Sequence, residues 1–341
     1  MSIHTQHDIE HNIGIWGYAF GYFASYVPYS MLTKAVSSGL WNPNLGPVDG
    51  LKLLPPTALA SFVGMVGFIW AMGWLRHASK LQIGSLAIPF PTMWTFLSGL
   101  CTSGIIATTT LAYTFTGSSI VFMMLLMRGG VLVIAPVVDA LTGRHVRWNS
   151  WIALLLSLAA LLVAFSDGIN TTMSAIAAVD VTLYLLFYFV RLRLMSRLAK
   201  NTSPGANVRY FVEEQLVAAP ALVLLLCLVA LFGQGAMPET IRAGFSDMLT
   251  GDYLAIALII GLCSQGTGIF GGLILLDARE NSFCVPVNRA SSILAGLVAS
   301  YGLVWLYNSR QPSGHEWAGA AFILLAIGFL SYSTIKKALG K

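Results

Sequence analysis

Two arginines stand inside apolar runs, where a charge is expensive. Arg128 interrupts Leu126-Met127-Arg128-Gly129-Gly130-Val131, and Arg289 follows Pro286 and Asn288 in a second run. A charged side chain at the centre of a bilayer costs about 3 kcal/mol or more unless it is paired or hydrated. Arg128 is therefore expected to face a wet central cavity, where it holds an anionic group or pairs with a gating carboxylate. The bland alternative is that it ties helices together through backbone carbonyls. Pro286 lacks an N–H and frees a carbonyl near Arg289, and Asn288 adds a donor and an acceptor. Arg289 lies shallower, so snorkelling to the interface competes with substrate binding.

The carboxylates are the other half of this chemistry. Arg209 precedes Glu213 by one helical turn, so a local ion pair accounts for Glu213. Glu214 projects roughly 100° away around the helix and needs a different partner. Glu214 and Asp180 are the candidates for proton coupling, since burial favours the protonated acid and lets a proton follow a substrate. Asp139 is expected to meet Arg144 or water.

Tyr18, Tyr22, Tyr26 and Tyr29 recur about one turn apart and share a helix face beside Gly17, Gly21 and Ser25. The small residues suit close helix packing. The hydroxyls suit the wall of an aqueous cavity, where the rings could stack on an aromatic or cationic substrate. Ser103, Gln265 and Thr267 are polar positions in two further apolar runs. Gln265 is expected in the cavity or between helices. With Arg128, Arg289, Asn288, Tyr18, Tyr22 and Tyr26 they complete the candidate substrate-binding set.

These residues need a membrane to position them. The chain of 341 residues is 56% hydrophobic and only 10% charged. A soluble domain carries about 25% charged residues, so lipid must be the solvent here. Ten apolar runs are long enough to span: roughly 13–38, 55–75, 91–113, 118–141, 150–166, 172–190, 207–232, 252–275, 282–307 and 315–335. Pro55-Pro56 and Ser203-Pro204-Gly205 read as joints between runs. Counting loop charges with the N-terminus on one side gives thirteen Lys and Arg there, Arg191 among them. The other side has only Lys34, Lys52, Arg242 and Arg310. The positive-inside rule then puts both termini in the cytoplasm, which an even number of spans requires.

The runs also repeat. Gly99-Leu100-Cys101-Thr102-Ser103-Gly104 recurs as Gly261-Leu262-Cys263-Ser264-Gln265-Gly266, and Phe122, Arg128 and Trp151 fall on Phe283, Arg289 and Trp317 at nearly the same offset. Five runs per half is an odd number, so the halves must enter the membrane from opposite sides. The expected fold is all-α, ten transmembrane helices as two inverted five-helix repeats. Residues 1–12 form a polar cytoplasmic tail, 13–168 and 169–336 the repeats, and 337–341 a basic cytoplasmic tail. Inverted repeats enclose substrate sites near mid-membrane.

The layout resembles the drug/metabolite transporter superfamily. The Arg128 stretch resembles that of its nucleotide-sugar-transporter and chloroquine-resistance-transporter-like branches. Arg147-Trp148-Asn149-Ser150-Trp151 and Glu316-Trp317-Ala318-Gly319 resemble the Trp-Gly starts of the fifth and tenth helices in EamA-like members. Ala153 stands where the first of these often has Gly. The resemblance implies a carrier of small molecules in the bacterial inner membrane, with no cofactor.

Function classes fall away by absence. The chain has no GxxxxGK[ST], no HExxH, no GxSxG and no strand-borne GxGxxG. Its basic residues flank apolar runs and form no nucleic-acid patch. Cys101, Cys227, Cys263 and Cys284 all lie in apolar runs and read as packing residues, and the His4, His7 and His11 tail is not a metal site. The reading is a secondary transporter of a small organic metabolite, and the arginines favour a carboxylate or phosphate on it. The alternative is an integral membrane enzyme or carrier acting on a lipid or polyprenyl-linked head group. The sequence leaves substrate, direction, coupling ion and oligomeric state open.

Overall fold

A computed structural model describes residues 14–338, apart from 43, 45, 84–85, 113–119, 165–174, 201–202 and 309–313. The polar tail at 1–12, the boundary at 168–169 and the end from 339 onward lie outside the described residues. Eleven α-helices are described: α1 (Ile15–Ser37), α2 (Gly50–Ala71), α3 (Met93–Ala112), α4 (Ile120–Leu141), α5 (Trp148–Ala164), α6 (Ala175–Leu198), α7 (Ala206–Phe232), α8 (Ala236–Thr250), α9 (Leu254–Leu276), α10 (Asn281–Tyr307) and α11 (Gly314–Ala338). All but α8 coincide with the ten apolar runs. Five of them, α2, α6, α7, α9 and α10, are long and apolar enough to cross a membrane, as in an integral membrane protein. Large apolar side chains such as Trp70, Trp305, Leu231 and Phe232 stand exposed on the outside of the bundle, where a bilayer would cover them.

Four features differ from the sequence reading. The carboxylate of Asp49 accepts the N–H of Leu51 at 2.7 Å and caps α2, so the helix starts ahead of Pro55-Pro56 and those prolines are not a joint. Pro56 leaves the carbonyl of Lys52 without its helical donor. Gly244 of α8 packs over it so closely that a Cβ there would come to 2.5 Å. The sixth run continues as helix through Arg191 and Arg197, because Arg is a good helix former. The stretch after α7 is not a loop but the amphipathic α8. It turns Ile241 and Met248 inward, and Arg242 donates to the carbonyls of Ala230 and Gly233 at the end of α7. One antiparallel hairpin, β1 (Lys80–Ile83) with β2 (Leu86–Pro89), links α2 to α3 and was not expected.

The helices pair in matched sets. α1 packs on α9 and α10, and α6 packs on α3 and α4. α2 packs on α9, α3 packs on α7, and α5 packs along α11. Four glycines of the repeated motif permit these approaches. A Cβ on Gly99 would meet Val217 at 2.5 Å and the carbonyl one turn earlier, Glu214, at 2.8 Å. A Cβ on Gly261 would meet Ala60 at 2.5 Å and the carbonyl one turn earlier, Thr57, at 2.6 Å. Gly104 lies against Phe187 and Gly266 against Ser25. Those two partners are related by the same sequence offset as the motifs themselves.

The largest core cluster takes side chains from every described α-helix but α8, and Leu192, Phe211, Ile274 and Cys284 are buried in it. At one end of the bundle, hydrogen bonds tie the start of α10 to the last turns of α4 and α6 and, through Glu280, to the start of α5, and close that end.

Candidate functional site

Above that closed end lies a cavity of about 410 Å³, lined from eight helices: α1, α2, α3, α4, α6, α7, α9 and α10. α5 and α11 stand apart from it. Volumes of this order suit a small metabolite. Arg128, Arg289, Asn288, Gln265, Tyr22, Tyr26 and Thr267 all line it. Side chains from both sequence halves thus converge on one space, as the spacing suggested.

Each polar group has a defined geometry. An Arg128 Nη donates to the Tyr26 hydroxyl at 3.2 Å. The Arg289 guanidinium lies over the Tyr188 ring at 5.3 Å, a cation–π contact. The residue is nine-tenths buried and its Nε has no hydrogen-bond partner among the described residues. In α9, Gln265 accepts from the Ser61 hydroxyl of α2 at 2.8 Å, while its amide nitrogen faces the Met65 sulfur at 2.9 Å. Gln265 therefore joins helices and lines the cavity at once. Gly271 leaves room for Tyr22, since a Cβ there would sit 2.8 Å from its ring.

Other expected residues lie elsewhere. Tyr18 packs against the core cluster. Ser103 is buried in α3 outside the cavity lining. Glu214 is fully buried behind the wall. It accepts from Arg191 Nε at 2.8 Å and an Arg191 Nη at 2.9 Å, from Ser98 at 2.7 Å and from Thr102 at 3.0 Å. Ser98 in turn shares a 2.5 Å hydrogen bond with Tyr210. Asp180 is also buried, but neither of its oxygens has a partner among the described residues. It lies one turn before Tyr184, which lines the cavity.

Three side chains correct or extend the sequence reading. Arg191 is not a loop cation: it is buried within α6, pairs with Glu214 and lines the cavity. Its position near the end of an apolar run hid this. Asp139 is not paired with the Arg144 side chain, which goes to backbone carbonyls instead. It is fully buried and accepts from the backbone and side-chain nitrogens of Asn281 at 2.9 and 2.7 Å, and from the N–H and hydroxyl of Ser282, both at 2.7 Å. The first N–H groups of α10 lack helical acceptors, and a carboxylate answers them. Glu213 keeps its pair with Arg209 at 3.3 Å but does more. It accepts the N–H groups of Ser79 and Thr92 and the Thr95 hydroxyl, at 2.9, 3.1 and 2.6 Å, where α3 begins.

The closed end carries a further network that sequence reading missed. Arg147 donates to both oxygens of Glu280 at 2.9 and 3.1 Å, and Ser150 adds a bond of 2.7 Å. Burial opposes ionisation of Glu280, but the bonds from Arg147 and Ser150 prevail and hold its carboxyl below the usual carboxylate range. Arg144 donates to the carbonyls of Ala278 and Lys200, and Lys200 to that of Arg279. Among the described residues no cluster of three His, Cys, Asp or Glu could hold a metal.

No family model and no curated protein matches the chain. A solved structure described only as "Crystal structure of protein" resembles it with a TM-score of 0.55, covering 92% of this chain and 98% of that one at 18% identity. At that identity the likeness is one of fold alone.

Proposed function

We propose that the chain is a secondary transporter that moves a small organic metabolite through the bundle by alternating access. The observation that carries this is the central cavity, walled by eight helices from both halves and furnished with buried arginines, tyrosines and amides. Buried ionisable groups in a membrane bundle are costly to keep and usually serve passage of a solute.

The reading includes ten spans arranged as two inverted repeats. Its support is the exchange symmetry of the packing. α1 meets α9 as α6 meets α3, α2 meets α9 as α7 meets α3, and the motif glycines make equivalent approaches in each half. Five spans per half put both termini on one side, and the loop cations make that side the cytoplasm of a bacterial inner membrane. Rocking of one repeat against the other would break the closed end, where Asp139, Glu213 and Glu280 join one half to the other. Of the two coupling candidates, Asp180 fits better. Glu214 is held by a bidentate guanidinium, whereas a buried carboxylate with no donor is costly when ionised and cheap when protonated.

The test is uptake into proteoliposomes containing the purified protein. A metabolite that stabilises the protein is expected to cross, unaltered, only when the protein is present. Arg128→Ala is expected to abolish that uptake while inserting normally, and full uptake by this variant would remove the central site. Chemical alteration of the metabolite would favour the enzyme reading instead.

A further inference from the structure

We infer that the cavity takes an organic anion, bearing a carboxylate or a phosphate, that carries no compensating amine. This rests on the transporter reading above and narrows its substrate.

Three guanidiniums line the space, those of Arg128, Arg191 and Arg289, and no Asp or Glu is among the described lining residues. Arg191 is answered from behind by Glu214. Arg289 is not answered in this way. It is nine-tenths buried, its Nε has no acceptor among the described residues, and what supports the guanidinium is Tyr188, a phenol and not a carboxylate. A guanidinium fork with an unmet donor in an apolar setting is a site for a planar carboxylate or a phosphate, which can take two of its N–H groups together.

The tyrosines decide the rest. A cluster of phenol rings ordinarily attracts cations, and from sequence a cationic substrate was therefore open. Here that capacity is already used. The face of Tyr188 carries Arg289, and the hydroxyl of Tyr26 accepts from Arg128. Tyr22 and Tyr184 lie within electrostatic reach of both arginines. An ammonium entering the cavity meets like charge on this wall, and no carboxylate among the described lining residues offsets it. A zwitterion would gain at one end and lose at the other. Elsewhere in the lining, the Gln265 amide N–H faces the Met65 thioether, a weak acceptor. It is placed to donate to a hydroxyl or carbonyl on the body of the anion.

The experiment compares matched probes on purified wild-type protein by thermal shift. One set shares a phenol ring: 3-(4-hydroxyphenyl)propionate, tyrosine and tyramine. A second contrasts succinate with succinamide, and a third contrasts glycerol 3-phosphate with glycerol. An upward shift in Tm is expected with at least one acid or phosphate ester. None is expected with tyrosine, tyramine or the neutral analogues, and succinate against glycerol 3-phosphate separates carboxylate from phosphate. The effective probe is expected to lose its shift in Arg289→Gln and to keep a reduced one in Arg289→Lys, which retains charge without the fork. Stabilisation by tyramine or tyrosine equal to that by the acid would overturn the inference. So would an absence of any shift with the acids and the phosphate ester, or an undiminished shift in both Arg289 variants. Flux separates this from the parent reading. Tyramine carried across proteoliposomes would leave a transporter and sink the anion assignment. An acid that binds and is never moved would leave the anion and sink the transporter.

Discussion

The closed end of the bundle and the cavity wall both bury charge, but they treat it in opposite ways. At the closed end the carboxylates are saturated. Asp139 accepts four hydrogen bonds at the start of α10, and Glu280 accepts three from Arg147 and Ser150. Among the described lining residues of the cavity there are three arginines and no acid, and the Nε of Arg289 has no acceptor among the described residues. A satisfied network stabilises one arrangement of the helices, and an unsatisfied group waits for a ligand. The Arg191–Glu214 pair stands on the border, saturated on one side and facing the cavity on the other.

The border pair offers the largest effect. Glu214→Ala leaves Arg191 buried and unpaired, which is expected to cost about 3–5 kcal/mol of stability. Thermal denaturation in detergent measures this, and the double variant Glu214→Leu with Arg191→Met is expected to recover most of the loss. A single variant as stable as wild type would mean that the pair is hydrated, contrary to its burial.

Asp139→Ala comes next. It orphans donors at the start of α10, at about 1–3 kcal/mol for the leading one, and Asp139→Asn should cost less because it still accepts. Hydrogen exchange of the first turn of α10 would rise in both, more in the alanine variant. Unchanged protection would show that the cap is dispensable.

Arg289→Ala inverts the pattern. Removing an incompletely satisfied cation is expected to change stability by about 2 kcal/mol at most, the order of a desolvated cation–π contact, while uptake is lost. A loss of stability as large as that of Glu214→Ala would make Arg289 a structural residue and erase the contrast between the two regions.

The smallest effect is a pH dependence at Glu280. Its carboxyl is held below the usual range in the folded protein, so its contribution is complete above the ordinary carboxylate pKa. That contribution fades as pH falls through the lowered value. The Tm difference between wild type and Glu280→Gln is thus expected to be greatest at neutral pH and to shrink in acid. A difference that grew with acidity would reverse the assignment.

Much of the frame was legible in the residues. The apolar runs located ten of the helices because a continuous stretch of Leu, Val and Ala must be helical where lipid offers no hydrogen bonds. The repeated Gly-Leu-Cys motif marked two helices whose glycines permit matching approaches. Arg128, Arg289 and Gln265 were singled out because polar atoms in such runs need a reason. Other features were hidden. Arg191 read as a loop cation because hydropathy stops a helix at its first charge, although α6 continues. α8 was missed because its apolar face is interleaved with Glu239, Arg242 and Asp247. Asp139 was matched to Arg144 because they are neighbours in the chain, while its real partners, Asn281 and Ser282, lie on a distant helix.

The sequence by itself determined that this is an integral membrane protein, roughly where ten of its helices lie, and which side chains are too polar to sit there without cause. Tertiary structure alone decided which of those side chains meet. Ion pairs and caps are fixed by helices far apart in sequence, at separations where local spacing carries no information. That is why Glu214 has its arginine, and why Asp180 and Arg289 have no such partner among the described residues.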